Sequence, residues 1–292
     1  MTGATGFLGR RLIASLASSH TVFALIRSAK PTPTDTNNIT WIRGNLAKRS
    51  VWRSLPPQVD RIVHLAQSMR YREFPDGALD MYQVNVAGTF HLLEYARSVG
   101  AGHFLLASTG GIYQGGSAAV KETDPVSPAT FYPASKLAAE MIARPYSLLF
   151  SICIQRLFFL YGPGQTDRVI PDLVERVRAG RSIQITGQGD GLVLTPTYID
   201  DAVDVLRAAV EEGWAGTFNV SAPYPISMRA LGEAVGEALG VAPRFKLVGG
   251  NAPPPLIPNL CRLKERYDVS RFRSVQEGLR ELLVIRGPLD RA

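Results

Sequence analysis

The chain has 292 residues, a net charge of +7 and 46% hydrophobic residues, enough apolar material for one large or two modest globular domains. No apolar stretch is long enough to span a bilayer, and the first residues lack the basic-then-apolar order of a secretory leader. A cytoplasmic protein with no membrane partner is therefore expected. The arginines are scattered, without a basic run or basic–aromatic interleaving. That argues against a nucleic-acid partner and leaves a mildly basic surface or a small nucleotide-bearing ligand.

The chain opens on Thr2-Gly3-Ala4-Thr5-Gly6-Phe7-Leu8-Gly9, with glycines at every third position running into an amphipathic helix over 8–17. Short apolar runs then predict strands over 22–26, 40–42, 61–64, 103–107 and 151–158. Helical patterns fall between them at 51–55, 81–98 and 132–143. Alternating strands and helices, with strands apolar throughout, predict a doubly wound parallel sheet of the Rossmann kind, covered on both faces. In such a sheet a central strand leads into the glycine loop, yet only Met1 and Thr2 precede Gly3. The first strand thus reads as truncated, through a lost or misassigned start, and neighbouring backbone groups would lack partners. After Tyr161 glycine-rich loops flank a helix at 171–179. Residues 195–220 read as strand, helix, strand, and further helices fall at 227–239 and 275–283. The expected organisation is a dinucleotide-binding domain over 1–165 plus 195–222, and a smaller α/β substrate domain over 166–194 plus 223–292.

Gly3, Gly6 and Gly9 permit a tight turn and close approach to a pyrophosphate. The helix behind them presents free N–H groups and a positive dipole end to that anion, so Phe7 and Leu8 join the candidate cofactor contacts. The next strand ends at Arg27, with Lys30 nearby and no acidic residue before Asp35. An acid there would hold the ribose hydroxyls of NAD, whereas Arg27 suits the 2′-phosphate of NADP. NADP is the favoured cofactor and NAD the alternative.

Tyr132-Pro133-Ala134-Ser135-Lys136 sets a phenol and an ammonium on one helix face. A phenol of pKa about 10 is a poor base at neutral pH. The charge of Lys136 and of an oxidised nicotinamide would favour its phenolate. Tyr132 would then take a proton from a substrate hydroxyl as hydride leaves the same carbon, and Lys136 would also hold the nicotinamide ribose. Thr109, at the end of the strand over 103–107, would orient the reacting oxygen. The alternative is a turn hydroxyl satisfying local backbone. His64 and His103 read as structural, Asp200-Asp201 as a helix cap, and Cys153 as a buried thiol. No Cys/His cluster has metal-ligand spacing.

Together these residues resemble the NAD-dependent epimerase/dehydratase family of the extended short-chain dehydrogenases. Thr2–Gly9 resembles its cofactor loop, and Gly44-Asn45-Leu46 its adenine contact with Asn45 in place of an acid. His64-Leu65-Ala66 resembles the strand end beneath the cofactor, Asn85-Val86-Ala87-Gly88-Thr89 a helix motif behind the active site, and Ser108 to Tyr113 the segment that carries the catalytic hydroxyl at Thr109. Arg156 to Gln165 and Tyr198-Ile199-Asp200-Asp201 are similar to further family segments. The resemblance implies Thr109, Tyr132 and Lys136 as catalytic residues, and Asn45, Leu46, Leu65 and Ala66 as cofactor contacts. It also implies a homodimer through the helices over 81–98 and 132–143. Three departures stand out: Phe159 replaces a usual asparagine, Leu194 a usual diphosphate-gripping arginine, and Gly110-Gly111 the acid pair of dehydratases. The expected activity is an epimerase or ketoreductase acting on a secondary alcohol or ketone of a nucleotide-linked sugar. The alternatives are an NADPH-dependent reductase of a small hydrophobic carbonyl compound, and a non-catalytic dinucleotide-binding regulator.

Overall fold

The computed structural model describes residues 1–27, 38–116, 118–166, 168–187 and 189–285. Lys30 and Asp35 lie outside them. Helix α1 (Gly9–Ala17) buries Leu12, Ile13 and Leu16, the 3.6-residue stripe visible in its sequence. Strand β1 (Val22–Ile26) pairs in parallel with β2 (Ile39–Arg43), from Val22 opposite Ile39 to Ile26 opposite Arg43. Strand β3 (Arg61–His64) leads through a loop to α2 (Ala78–Met81). A π-helical turn over Tyr82–Ala87 then joins α2 to α3 (Gly88–Ser98). Next come β4 (His103–Thr109), α4 (Phe131–Ala143) and β5 (Ser151–Leu157).

The remaining elements are shorter on average. They are β6 (Leu160–Tyr161), α5 (Val169–Arg178), β7 (Ile183–Thr186), β8 (Val193–Leu194), β9 (Thr197–Tyr198), α6 (Ile199–Glu211), β10 (Gly216–Val220), β11 (Ile226–Ser227), α7 (Met228–Leu239), β12 (Phe245–Val248), α8 (Cys261–Lys264) and α9 (Val275–Ile285). The expected α/β parallel sheet is present: a four-stranded sheet runs β10-β5-β4-β3, with β3 and β4 parallel.

The place of the leading strand is held by two residues. Thr2 bridges in parallel to Leu25 of β1 on one side and to His64 of β3 on the other. The Met1 amino group donates to Phe23 O at 2.7 Å, and Leu25 N to Met1 O at 2.9 Å. Thr2 N donates to Val63 O at 2.9 Å, and Leu65 N to Thr2 O at 3.3 Å. The expectation of unpaired neighbours is corrected at this level of the sheet, because one residue offers both edges of its backbone.

Two compact units emerge. The first comprises Met1–Ile112, Val126–Arg156 and Val203–Phe218, and the second Tyr113–Pro125, Leu157–Ala202 and Asn219–Ala292. The core of the first is apolar where the sheet is covered, with Phe104, Leu106, Leu93, Ala139 and Ile154 all buried. In the second, α7 packs on α5 and α9, and β12 pairs in parallel with β7. Ser227 caps α7 by accepting from Ala230 N, and Gly240 ends it in the left-handed region at φ 66°.

Candidate functional site

The site is built in the first unit. The glycine turn closes with Gly6 N donating to Gly3 O at 3.0 Å, and Arg10 N donates to Gly6 O at 3.0 Å as the helix begins. A β-carbon on Gly9 would collide with Gly3 O, and one on Gly3 would lie 2.6 Å from Ala66 N. Only glycine allows this turn to fold onto its own helix and onto the segment after β3. Leu65 and Ala66 are thereby brought against the loop. No side chain caps α1 and no acid sits in its first turn, so its positive end is not neutralised from within. This cradle fits a dinucleotide pyrophosphate.

The adenine-side candidates behave differently. Asn45 Oδ1 accepts from Ala47 N at 3.0 Å, closing its own turn. Leu46 is buried in the core cluster, and Arg27 is exposed at the end of β1.

On α4, Tyr132 is partly exposed, while Lys136 one turn later is 3% exposed. Burial lowers the Lys136 pKa to about 8 against the opposing pull of Glu140, the next residue along the same face. Tyr132 Oη donates to Gln67 Oε1 at 2.7 Å, and the Tyr71 ring lies 5.5 Å from the Tyr132 ring. Thr109 Oγ1 accepts from Gly111 N at 3.1 Å, which leaves its proton uncommitted by that bond. Gly111 sits between Thr109 and Pro133, where a β-carbon would lie 3.4 Å from Thr109 Oγ1 and 3.8 Å from Pro133 Cβ. That packing sets Thr109 beside the first turn of α4.

Behind these groups runs a directional hydrogen-bond chain. Ala66 N donates to Thr2 Oγ1 at 3.2 Å, and Thr2 Oγ1 and His64 Nδ1 are 2.7 Å apart. His64 Nε2 lies 3.0 Å from Thr89 Oγ1, which itself donates to Asn85 O at 2.6 Å. Thr89 has one proton and gives it to that carbonyl, so His64 carries its proton on Nε2 and accepts from Thr2 at Nδ1. Burial, with Lys136 adding repulsion, lowers the His64 pKa to about 3, so the ring is neutral. Asn85, inside the π-helical turn, accepts from Ser68 N at 2.8 Å and donates to Ser135 Oγ at 2.9 Å. Ser135 Oγ donates to Tyr132 O at 2.7 Å.

A buried ion pair supports the same helix. Glu140 (0% exposed) accepts from Arg156 Nη2 at 2.7 Å, Ser108 Oγ at 2.5 Å and Arg144 Nη2 at 3.1 Å, and Arg156 is 1% exposed. Ser108 is thus turned inward, away from the role given to its neighbour Thr109. Sequence reasoning missed Glu140, although Tyr132, Lys136 and Glu140 recur every fourth residue. It also missed Gln67, which lies far from Tyr132 along the chain.

Other residues singled out in the sequence have their own local settings. His103 is buried and donates from Nε2 to Trp214 O at 3.0 Å. Asp201, in the first turn of α6, pairs with the Arg273 guanidinium and accepts from Arg273 N at 2.8 Å, so it ties two segments of the second unit together. Phe159 adopts φ 41°, and Leu194 is 1% exposed on β8. Among the described residues no group of acids, histidines or cysteines is arranged to hold a metal ion. No helix among them is long and apolar enough to cross a membrane.

A dinucleotide cradle beside a Tyr–Lys helix face on a doubly wound sheet defines an extended short-chain dehydrogenase. The NAD dependent epimerase/dehydratase family model matches residues 1–221, and the chain belongs to that family. It is 29% identical to a UDP-glucose 4-epimerase of Mycolicibacterium smegmatis over 94% of this chain and 91% of the relative. Among solved structures it resembles MoeE5, determined with UDP-glucuronic acid and NAD, with TM-score 0.82, 25% identity, and 97% and 96% of the two chains covered. It shares the fold of a UDP-glucose 4-epimerase of Thermus thermophilus solved with NAD, with TM-score 0.80, 24% identity, and 99% and 98% covered.

Proposed function

We propose that the chain is an NAD(P)-dependent epimerase or ketoreductase acting at a secondary alcohol or ketone of a nucleotide-linked sugar. The reading is carried by one observation: a buried lysine with pKa lowered to about 8 stands one helical turn from a partly exposed tyrosine. When bound, the nicotinamide accepts or supplies hydride at the carbinol carbon. Tyr132 takes the hydroxyl proton on its phenol oxygen in oxidation and returns it in reduction. Lys136, charged below pH 8, favours the phenolate. Thr109 donates its remaining proton to the reacting oxygen and orients it. Gly3, Gly6, Phe7, Leu8 and Gly9 hold the pyrophosphate at the start of α1, with Leu65 and Ala66 beneath. Asn45 and Leu46 border the adenine through backbone. Residues 166–194 and 223–292 supply the substrate domain. Relatives that bind nucleotide sugars and NAD support the substrate and cofactor classes.

Arg27, exposed where β1 ends, supports NADP over NAD. The exposed apolar side chains Tyr82, Phe90, Met141, Leu148 and Leu149 support a homodimer across α3 and α4. Two unpaired cysteines suit a reducing, cytoplasmic setting. A second reading, reduction of a small hydrophobic carbonyl compound, is favoured by Phe159 and Leu194, which offer no charge to a diphosphate. Thermal-shift and turnover assays with NAD, NADP, UDP-sugars and apolar ketones test both readings. Stabilisation by a UDP-sugar with turnover supports the first, and NADPH oxidation by apolar ketones alone replaces it with the second. Tyr132→Phe should abolish turnover and leave cofactor affinity within about twofold. Full activity in that variant ends the acid–base assignment.

A further inference from the structure

The Tyr132 phenol has a hydrogen-bond partner that the family motifs do not supply. Tyr132 Oη donates to Gln67 Oε1 at 2.7 Å. The backbone on either side of Gln67 is pinned by buried side chains: Ala66 N donates to Thr2 Oγ1 at 3.2 Å, and Ser68 N to Asn85 Oδ1 at 2.8 Å. Ser68 is further held by Asp80. Gln67 itself is only partly buried. Its backbone is therefore held on both sides, while its side chain reaches the partly exposed phenol.

An amide presents an acceptor and a two-proton donor of nearly equal shape. A neutral phenol needs an acceptor, which Oε1 provides. A phenolate would face the same oxygen as one acceptor against another. Half a turn of the amide replaces Oε1 with Nε2 and gives the phenolate a donor. We propose that Gln67 is a further catalytic residue, whose side-chain amide follows the charge of Tyr132, accepting from the phenol and donating to the phenolate. In oxidation the substrate hydroxyl proton passes to Tyr132 Oη as hydride leaves the carbon for the oxidised nicotinamide. The new phenol then turns to Oε1, and reduction reverses both movements. The proposal rests on the assignment of Tyr132 as acid and base.

The titratable and charged groups on the surrounding elements are Lys136 and Glu140, one and two turns after Tyr132 on α4, and Tyr71, whose ring lies 5.5 Å from the Tyr132 ring. The others are the Arg70–Glu73 pair in the loop after β3, Asp80 of α2 bound to Ser68, and His64 of β3, which is neutral.

The test is a phenolate titration by ultraviolet absorbance on the full chain, with Tyr132→Phe subtracted so that only Tyr132 is read. Gln67→Glu keeps size and acceptor but removes the donor and adds a negative charge. Gln67→Met keeps size alone. Relative to wild type, the Tyr132 midpoint should rise in both. Gln67→Glu should rise more, by an amount that leaves roughly tenfold less phenolate at a given pH. The acid limb of the kcat/KM profile should move up by the same amount. Because the titration does not depend on turnover, it separates the two ideas. An active Tyr132→Phe defeats the function assigned to Tyr132. An unmoved midpoint in both Gln67 variants, each melting cooperatively, overturns the role of Gln67.

Discussion

Glu140→Gln is the most informative single change on the α4 face. It preserves shape and one acceptor but removes the charge that balances Arg156, whose side chain is 1% exposed. Glu140 gathers bonds from Arg156, Ser108 and Arg144. Desolvating an ion pair costs much of what its attraction returns, but stripping one partner leaves a buried charge unanswered, at about 3–5 kcal/mol. The glutamine still accepts one bond, so about 3 kcal/mol is expected. At about 2–4 °C per kcal/mol for chains of this class, the melting temperature should fall by roughly 6–12 °C. The same change removes the carboxylate that holds the Lys136 ammonium up. Lys136 then loses its proton below pH 8, and the alkaline limb of kcat/KM moves to lower pH. Differential scanning calorimetry and a pH–rate series read the two effects. A double variant, Glu140→Gln with Arg156→Met, should regain most of the lost stability because no charge is stranded. A single variant that melts within about 1 °C of wild type would refute the reasoning.

Two further changes test neighbouring features. His64 has a folded pKa of about 3. The unfolded imidazole, near 6.5, binds a proton between those values and the folded one does not, so stability falls as pH drops through that window. The loss between pH 7 and pH 5 is about 2 kcal/mol. Urea titrations of His64→Asn should show that much less acid sensitivity than wild type, and equal slopes against pH would sink the claim. Phe159 holds φ 41°, a region that costs a bulky residue about 1–3 kcal/mol and suits asparagine. Phe159→Asn should raise the melting temperature by a few degrees, measurable by calorimetry, whereas no gain would show the strain to be absent.

Much of the sheet was legible because each strand is a closed apolar run. β1 and β3 fall where the residues predict them, and β2 and β4 extend by one or two residues beyond. The helix expected over 81–98 is continuous in direction but begins at Ala78 and loosens into a π-helical turn over Tyr82–Ala87. Periodicity does not register that widening, because it adds one residue without changing the apolar face. The turn around Val51 tightens into a 3-10 helix over Arg49–Ser54. The two-residue strands of the second unit carry too few side chains to set a pattern. At the site, Tyr132, Lys136 and the glycines were visible because their spacing is local. Gln67 and the Arg156–Glu140 pair make contacts across the fold that no spacing encodes, and Asn85 was visible only through the family motif that carries it. The pairing of Asp201 with Arg273 was hidden for the same reason, since Arg273 lies 72 residues away.

The chain of hydrogen bonds from Ala66 through Thr2, His64, Thr89, Asn85 and Ser135 has a mechanical meaning. It begins at the floor of the glycine turn and finishes on the backbone of Tyr132. Bracing both ends to one strut fixes the span between the glycine turn and the first turn of α4. Breaking any single link, as Thr2→Val would, lets that span drift while each end stays locally intact.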